Sequence, residues 1–156
     1  MRKKKSLSLS EKRKKLAKQK KQRMAKKLNL RANNPSQSQL GDLLEHYQNG
    51  RFGDAENLAI SITQEFPQNE AAWKVLGAVL GKTGRKSEAA DAERKAVTLS
   101  PLDADSHFNL GVTLQDLRRF EEAESSYTQA IVLEPDLAEA HNNYGNMLKE
   151  LGRLDE

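Results

Sequence analysis

Chemistry near neutral pH needs groups that exchange protons, bind metals or attack electrophiles, and this sequence offers few of them in a usable pattern. It has no cysteine, which removes disulfides, thiolate metal sites and a cysteine nucleophile and agrees with a reducing compartment. Its histidines are His46, His107 and His141. The last two stand one period of 34 residues apart, where Trp73 stands a period earlier, so they read as a recurring core position with a polar edge rather than as metal ligands or acid-base groups. His46 has no partner close to it in sequence. The adjacent acids Glu121 and Glu122 open a helix, where negative charge complements the dipole. Arg51, Arg85, Arg119 and Arg153 could be taken for an anion ladder, but each falls in a tight turn between two helices, which is a surface role. The glycines lack the strand and helix that frame a phosphate loop. No catalytic residue, cofactor or metal site follows, and the chain is not expected to act as an enzyme by itself.

Amides offer a different chemistry. Asn109 and Asn143 are also one period apart, and an asparagine carries both a donor and an acceptor. A regularly spaced pair can therefore satisfy the backbone groups of an extended peptide whatever its side chains. The alternative is that the two amides simply solvate a concave wall.

What would hold such residues in register is the period itself. Pro67, Pro101 and Pro135 recur at 34 residues, as do Ala55, Ala89 and Ala123, Gly77, Gly111 and Gly145, and Leu80, Leu114 and Leu148. Gly50, Gly84 and Gly152 make a further series that Arg118 interrupts. Within one period Trp73, Leu76, Gly77 and Leu80 occupy i, i+3, i+4 and i+7, the buried stripe of a first helix. Gly84 can close that helix in a left-handed conformation, and Ser87 can cap a second helix starting at Glu88. The second helix is expected to bury Ala89, Ala96 and Val97 and to stop before Pro101. Gly77 and Ala89 are small enough to let the two backbones of a hairpin approach closely. One hairpin cannot cover its own apolar stripe, so successive hairpins stack.

These residues resemble the tetratricopeptide repeat family, whose aromatic, Leu-Gly, apolar, Ala, aromatic, Ala and Pro pattern is met by His107, Leu110, Gly111, Leu114, Ala123, Tyr127, Ala130 and Pro135. The resemblance implies an all-α fold, a right-handed superhelical solenoid of antiparallel helix hairpins whose concave face grips peptides or proteins. It covers units 36–69, 70–103 and 104–137 and a partial unit 138–156, in which Tyr144, Gly145 and Leu148 continue the core. The concave face would carry Lys74 and Ala78 in the second unit and Phe108, Asn109, Val112 and Gln115 in the third, followed by Asn142, Asn143, Asn146 and Lys149. The run from His141 to Asn146 resembles the repeats of O-linked N-acetylglucosamine transferases, where an asparagine ladder lines the superhelix. Lys74 with Ala78 beside it does not reproduce the basic clamp by which other members hold a C-terminal carboxylate. Two departures stand out. Asp42 and His46 replace apolar residues, so Leu40, Leu43, Leu44 and Tyr47 define a shifted stripe in an atypical first unit. Glu93 stands where the next unit has Tyr127, and is expected to face solvent or pack poorly.

A mean hydropathy of −0.81 with 5% aromatic residues suits a thin architecture better than a large round core. The net charge of +4 conceals a step: residues 1–34 hold 15 Lys or Arg against one Glu, and residues 35–156 hold 11 against 21 acids. The boundary separates a basic tail, partly helical or disordered, from an acidic repeat domain at 35–156. In the tail Ser8 and Glu11 form a capping box, but Leu9, Leu16, Met24 and Leu28 are too sparse for a membrane-inserting face. The tail could meet an anionic partner such as nucleic acid, an anionic membrane or an acidic protein; otherwise it is a solvated extension. No apolar run approaches the roughly 20 residues of a membrane span, and no signal peptide follows the basic start, which together point to the cytoplasm.

Three functions are compatible with this. The first is a scaffold that binds a peptide or partner protein on its concave face. The second is the substrate-recruiting, N-terminal part of a glycosyltransferase or sulfotransferase, since the repeats break off at Glu156 before another second helix. The third is a nucleic-acid or ribosome-associated protein acting through its tail. An uncovered last helix with Tyr144 and Leu148 exposed would also fray or self-associate.

Overall fold

The structure, a computed structural model, describes residues 14–24 and 34–152. The chain divides into two units, Met1–Ser36 and Gln37–Glu156. In the first unit residues 14–24 form helix α1, whose residues are all exposed, Leu16 and Met24 included. The capping box at Ser8 and Glu11 lies outside the described residues, as does Arg153.

The second unit is all-α among the described residues. Its helices are α2 (Gln37–Gln48), α3 (Phe52–Glu65), α4 (Glu70–Lys82), α5 (Lys86–Leu99), α6 (Ala104–Asp116), α7 (Phe120–Leu133) and α8 (Ala138–Glu150). They pack as the hairpins α2–α3, α4–α5 and α6–α7, with α8 opening another. Each second helix also packs on the following first helix, and α2, α4, α6 and α8 touch in succession, so the first helices together form one wall of the stack. This is the solenoid that the 34-residue period predicts.

Local chemistry sets the boundaries. Asn69 accepts a hydrogen bond from the Ala72 amide at 2.9 Å and so caps α4, and Asp103 accepts one from the Ser106 amide at 3.2 Å to cap α6. The second helices start differently. Their N-cap positions are Arg51, Arg85 and Arg119, and no side chain caps them. Ser87 therefore does not cap α5: that helix begins at Lys86, immediately after the turn, which leaves Ser87 inside it. The arginines instead reach acids. Arg85 Nε lies 2.7 Å from Glu88 and its guanidinium also meets Glu56 of the preceding hairpin, while Arg119 Nε lies 2.7 Å from Glu122. The Arg85 hydrogen bond holds the Glu88 carboxyl below its usual range, and Arg119, then Arg94, does the same for Glu122. These pairs are exposed, where solvent screening leaves an ion pair little effect on stability.

The tight turns share one requirement. Gly50, Gly84 and Gly152 have φ of 70°, 83° and 72°, and at the same repeat position Arg118 has φ of 62°. A residue with a Cβ pays roughly 1–2 kcal/mol there. Arg118 offsets part of this by pairing with Glu150 and by lying over the Phe120 ring, 5.0 Å from its centroid.

The core repeats with one systematic exchange of volume. Ala55, Ala89, Ala123 and Ala130 are fully buried, as are Ala59 and Tyr127, and Ala96 is nearly so. At the Leu-Gly position of the first unit stands Leu43, 1% exposed, and opposite it in the repeat pattern stands the small Ala59. In the second unit Gly77 faces Glu93, and in the third Gly111 faces Tyr127: an added Cβ would lie 2.6 Å from Glu93 Cγ and 2.7 Å from Tyr127 Cδ1. A large residue on either helix is thus matched by a small one on the other. Gly77 and Gly111 make room for side chains of the second helix, not for a close backbone approach. The same exchange explains the first unit's shifted stripe, except that Leu44 is exposed and takes no part in it.

The last helix is better covered than its sequence suggests. Met147 and Leu148 are buried, and Tyr144 is partly buried with its hydroxyl donating to Glu124 at 2.9 Å, because α7 packs along that face.

Candidate functional site

The wall of first helices contains a recess of about 420 Å³. Its centre is built by α6, where Phe108, Asn109, Val112, Thr113 and Asp116 lie on one face. Gly77, Ala78, Gly81 and Lys82 of α4 form the adjoining side, Tyr47 of α2 and Asn143 of α8 close the ends, and Glu93 of α5 reaches in between the first helices. It reaches that far because Gly77 leaves the space open.

Five of the ten residues expected on the concave face line this recess: Ala78, Phe108, Asn109, Val112 and Asn143. The others have different surroundings. The Lys74 ammonium pairs with Asp103 at 2.8 Å, tying α4 to the start of the next hairpin. Burial works to raise the Asp103 carboxyl, but hydrogen bonds from Lys74 and Ser106 outweigh it and hold the group low. Gln115 accepts a hydrogen bond from the Tyr127 hydroxyl at 2.7 Å, and Asn143 hydrogen-bonds the same hydroxyl. Burial pushes Tyr127 up to about 12, against the pull of Asn143, so it remains a neutral phenol. Asn142, Asn146 and Lys149 are exposed on α8, outside the recess. Asn109 is exposed within the recess and Asn143 half-buried, so the two amides face the same space unequally committed.

Glu93 is the residue that sequence reasoning misplaced. It neither faces solvent nor packs loosely: it is 5% exposed, and its Oε2 has no hydrogen-bond partner among the described residues. Burial pushes its carboxyl up to about 7, tempered by a hydrogen bond from the Thr113 hydroxyl. The signal was present as a charged residue at a position occupied by Ala59 and Tyr127 in the flanking units. Tyr47, Gly81, Lys82, Thr113 and Asp116 were also missed, although Lys82, Thr113 and Asp116 follow Ala78, Asn109 and Val112 by one helical turn on the same faces.

The aromatic position of the repeat resolves the histidines. Trp73 Nε1 donates to the Pro67 carbonyl at 3.0 Å, and His107 and His141 place Nε2 at 3.0 and 2.8 Å from the carbonyls of Pro101 and Pro135. A carbonyl only accepts, so both imidazoles carry the proton on Nε2 and do the work of the indole. Each ties its helix to the loop six residues before it. Among the described residues no group of acids and histidines is placed to hold a metal ion, and no helix is long and apolar enough to cross a membrane. A second recess of about 450 Å³ lies between α3, α4 and α5, floored by Ile60, Trp73, Leu76, Leu80 and Ala92 and rimmed by charges that include Arg85 and Lys95.

Stacked helix hairpins with an inner wall of first helices define a class of repeat scaffold. Residues 43–104, 104–137 and 126–156 match three sequence models of the tetratricopeptide repeat, and together these place most of the chain in that family. No curated protein sequence matches the chain. Among solved structures, the first tetratricopeptide domain of Spaghetti (RPAP3) bound to an HSP90 peptide, SRMEEVD, aligns over 77% of this chain and 98% of its own at 19% identity, with a TM-score of 0.73. MamA aligns over 97% and 89% at 20% identity and a TM-score of 0.74, and the Arabidopsis OM64 tetratricopeptide domain over 72% and 93% at 18% identity and 0.69. At these identities the likeness concerns the fold. None of these matches names a transferase, so the likeness to O-linked N-acetylglucosamine transferases rests on the asparagine run alone.

Proposed function

We propose that the chain is an adhesion scaffold that holds an extended peptide, or an extended segment of a partner protein, against the wall formed by α2, α4, α6 and α8. The observation that carries this is the recess on that wall, where amides from two successive repeats, Asn109 and Asn143, meet the apolar flanks of Phe108 and Val112. Backbone groups of a bound strand would pair with the amides while a side chain enters the recess. The RPAP3 domain was solved with an acidic HSP90 peptide, which supports peptide holding as a use of this fold. An acidic tail is a poor match here, because Glu93 and Asp116 line the recess and Lys74 is already paired with Asp103.

The test uses peptides selected from a random dodecapeptide library on the full chain. Changing Asn109 and Asn143 together to Ala should weaken their binding roughly ten- to thirty-fold, the equivalent of two hydrogen bonds of about 1 kcal/mol each. Unchanged affinity, with thermal melting showing the variant folded, removes the asparagine pair from the account.

A further inference from the structure

Glu93 is placed unlike any other acid of the second unit. Its aliphatic stem lies across Gly77, its residue surface is 5% exposed, and Oε2 is buried without a partner among the described residues. A buried acceptor left unpaired is unfavourable, and a charged one more so. Glu93 lines the recess in the proposed binding wall, so a partner side chain that seats in the recess approaches it from that side. The charges around it leave the acceptor available. On α6, Asp116 pairs with Lys86 at 2.9 Å. On α5 itself, Arg94 pairs with Asp91 and Glu122, and Lys95 belongs to the second recess. On α4, Lys82 is exposed at the helix end, while α2 and α8 contribute the uncharged Tyr47 and Asn143.

We propose that this recess receives a lysine or arginine side chain of the bound peptide, its cationic head on the Glu93 carboxylate and its stem along Ala78, Phe108 and Val112. The proposal rests on the peptide-binding function above and supplies the side-chain preference that the asparagines cannot. A long basic side chain suits the site on two counts: its methylenes cover apolar surface, and its head supplies the charge-assisted hydrogen bond that a buried carboxylate lacks. A neutral acid would do the opposite and donate to a peptide carbonyl.

The two arrangements differ in the sign of their pH dependence. Burial holds free Glu93 at about 7, and a bound cation favours the ionised form, so binding below about pH 7 expels a proton. Affinity for a basic peptide should therefore rise with pH and level off above about pH 7, by on the order of tenfold between about pH 6 and pH 8. A peptide whose carbonyl accepts a hydrogen bond from protonated Glu93 would bind more weakly as pH rises.

The experiment pans the random dodecapeptide library on the full chain and titrates the selected peptides against wild type, Glu93→Gln and the double asparagine variant. Expected are binders enriched in Lys or Arg at one position, tighter at about pH 8 than at pH 6, that lose tenfold or more and their pH dependence in Glu93→Gln while its melting temperature is not lowered. Binders that respond to the asparagine changes but show no basic enrichment, ignore Glu93→Gln, or weaken with rising pH overturn this proposal and leave the peptide-binding function standing. Binders indifferent to every one of these changes overturn both.

Discussion

Gly111→Ala should destabilise the repeat domain by about 1–2 kcal/mol, whereas Gly145→Ala, the same repeat position one unit later, should raise stability by up to about 1 kcal/mol. The two substitutions are chemically identical and both lie inside a helix, where alanine is intrinsically favoured over glycine by about 1 kcal/mol. They differ in what the new methyl meets. At Gly111 it would sit 2.7 and 2.8 Å from Cδ1 and Cε1 of Tyr127, a fully buried ring that packs against Phe108 and Tyr144 at centroid distances of 6.2 and 6.3 Å. The ring cannot yield without disturbing both neighbours and its hydrogen bond to Gln115. At Gly145 nothing lies within 4 Å. Urea denaturation of the two variants beside wild type, followed by circular dichroism, reads the difference. Equal effects at both positions would contradict the volume exchange across the hairpin.

Glu93→Gln should leave stability nearly unchanged at about pH 4.5 and increase it by about 1–3 kcal/mol at about pH 8. Burial raises this carboxyl from 4.5 to about 7 in the folded chain. The native state then binds a proton that the unfolded chain has already released, so stability is full below about pH 4.5, declines as pH climbs to about 7, and stays lower above. Glutamine keeps the size and can still bond Thr113, but it has no proton to lose. Wild type should thus lose stability through this window relative to the variant. Parallel stability curves from about pH 4.5 to pH 8 would show that Glu93 is not a buried carboxyl in solution. A residue that weakens the free protein at neutral pH while lining the recess fits a site held for a ligand.

The repeat, its hairpins and most of its core were legible in the sequence because they follow from a period and from residue size: Leu80, Leu114 and Leu148 recur at 34 residues and all three are buried. What the period concealed was compensation between helices. Leu43 with Ala59, Gly77 with Glu93 and Gly111 with Tyr127 occupy equivalent pairs of positions, and each member makes sense only beside the residue 16 positions away. Read along one helix, Glu93 looked like a solvent-facing departure; read across the hairpin, it fills the volume that Gly77 leaves. The same limit affected Lys74 and Gln115, which share a helix face with residues of the recess but are drawn off by Asp103 and Tyr127 on neighbouring elements. Helix periodicity assigns a residue to a face, whereas its partner is set by tertiary contacts.

The binding wall can be located directly by recording amide chemical shifts of the full chain, isotopically labelled, as a selected dodecapeptide is added. Shifts centred on Ala78, Asn109, Val112, Thr113 and Asn143 are the expected result. Shifts confined to Ile60, Trp73 and Ala92 around the second recess, with α6 and α8 unmoved, would contradict it.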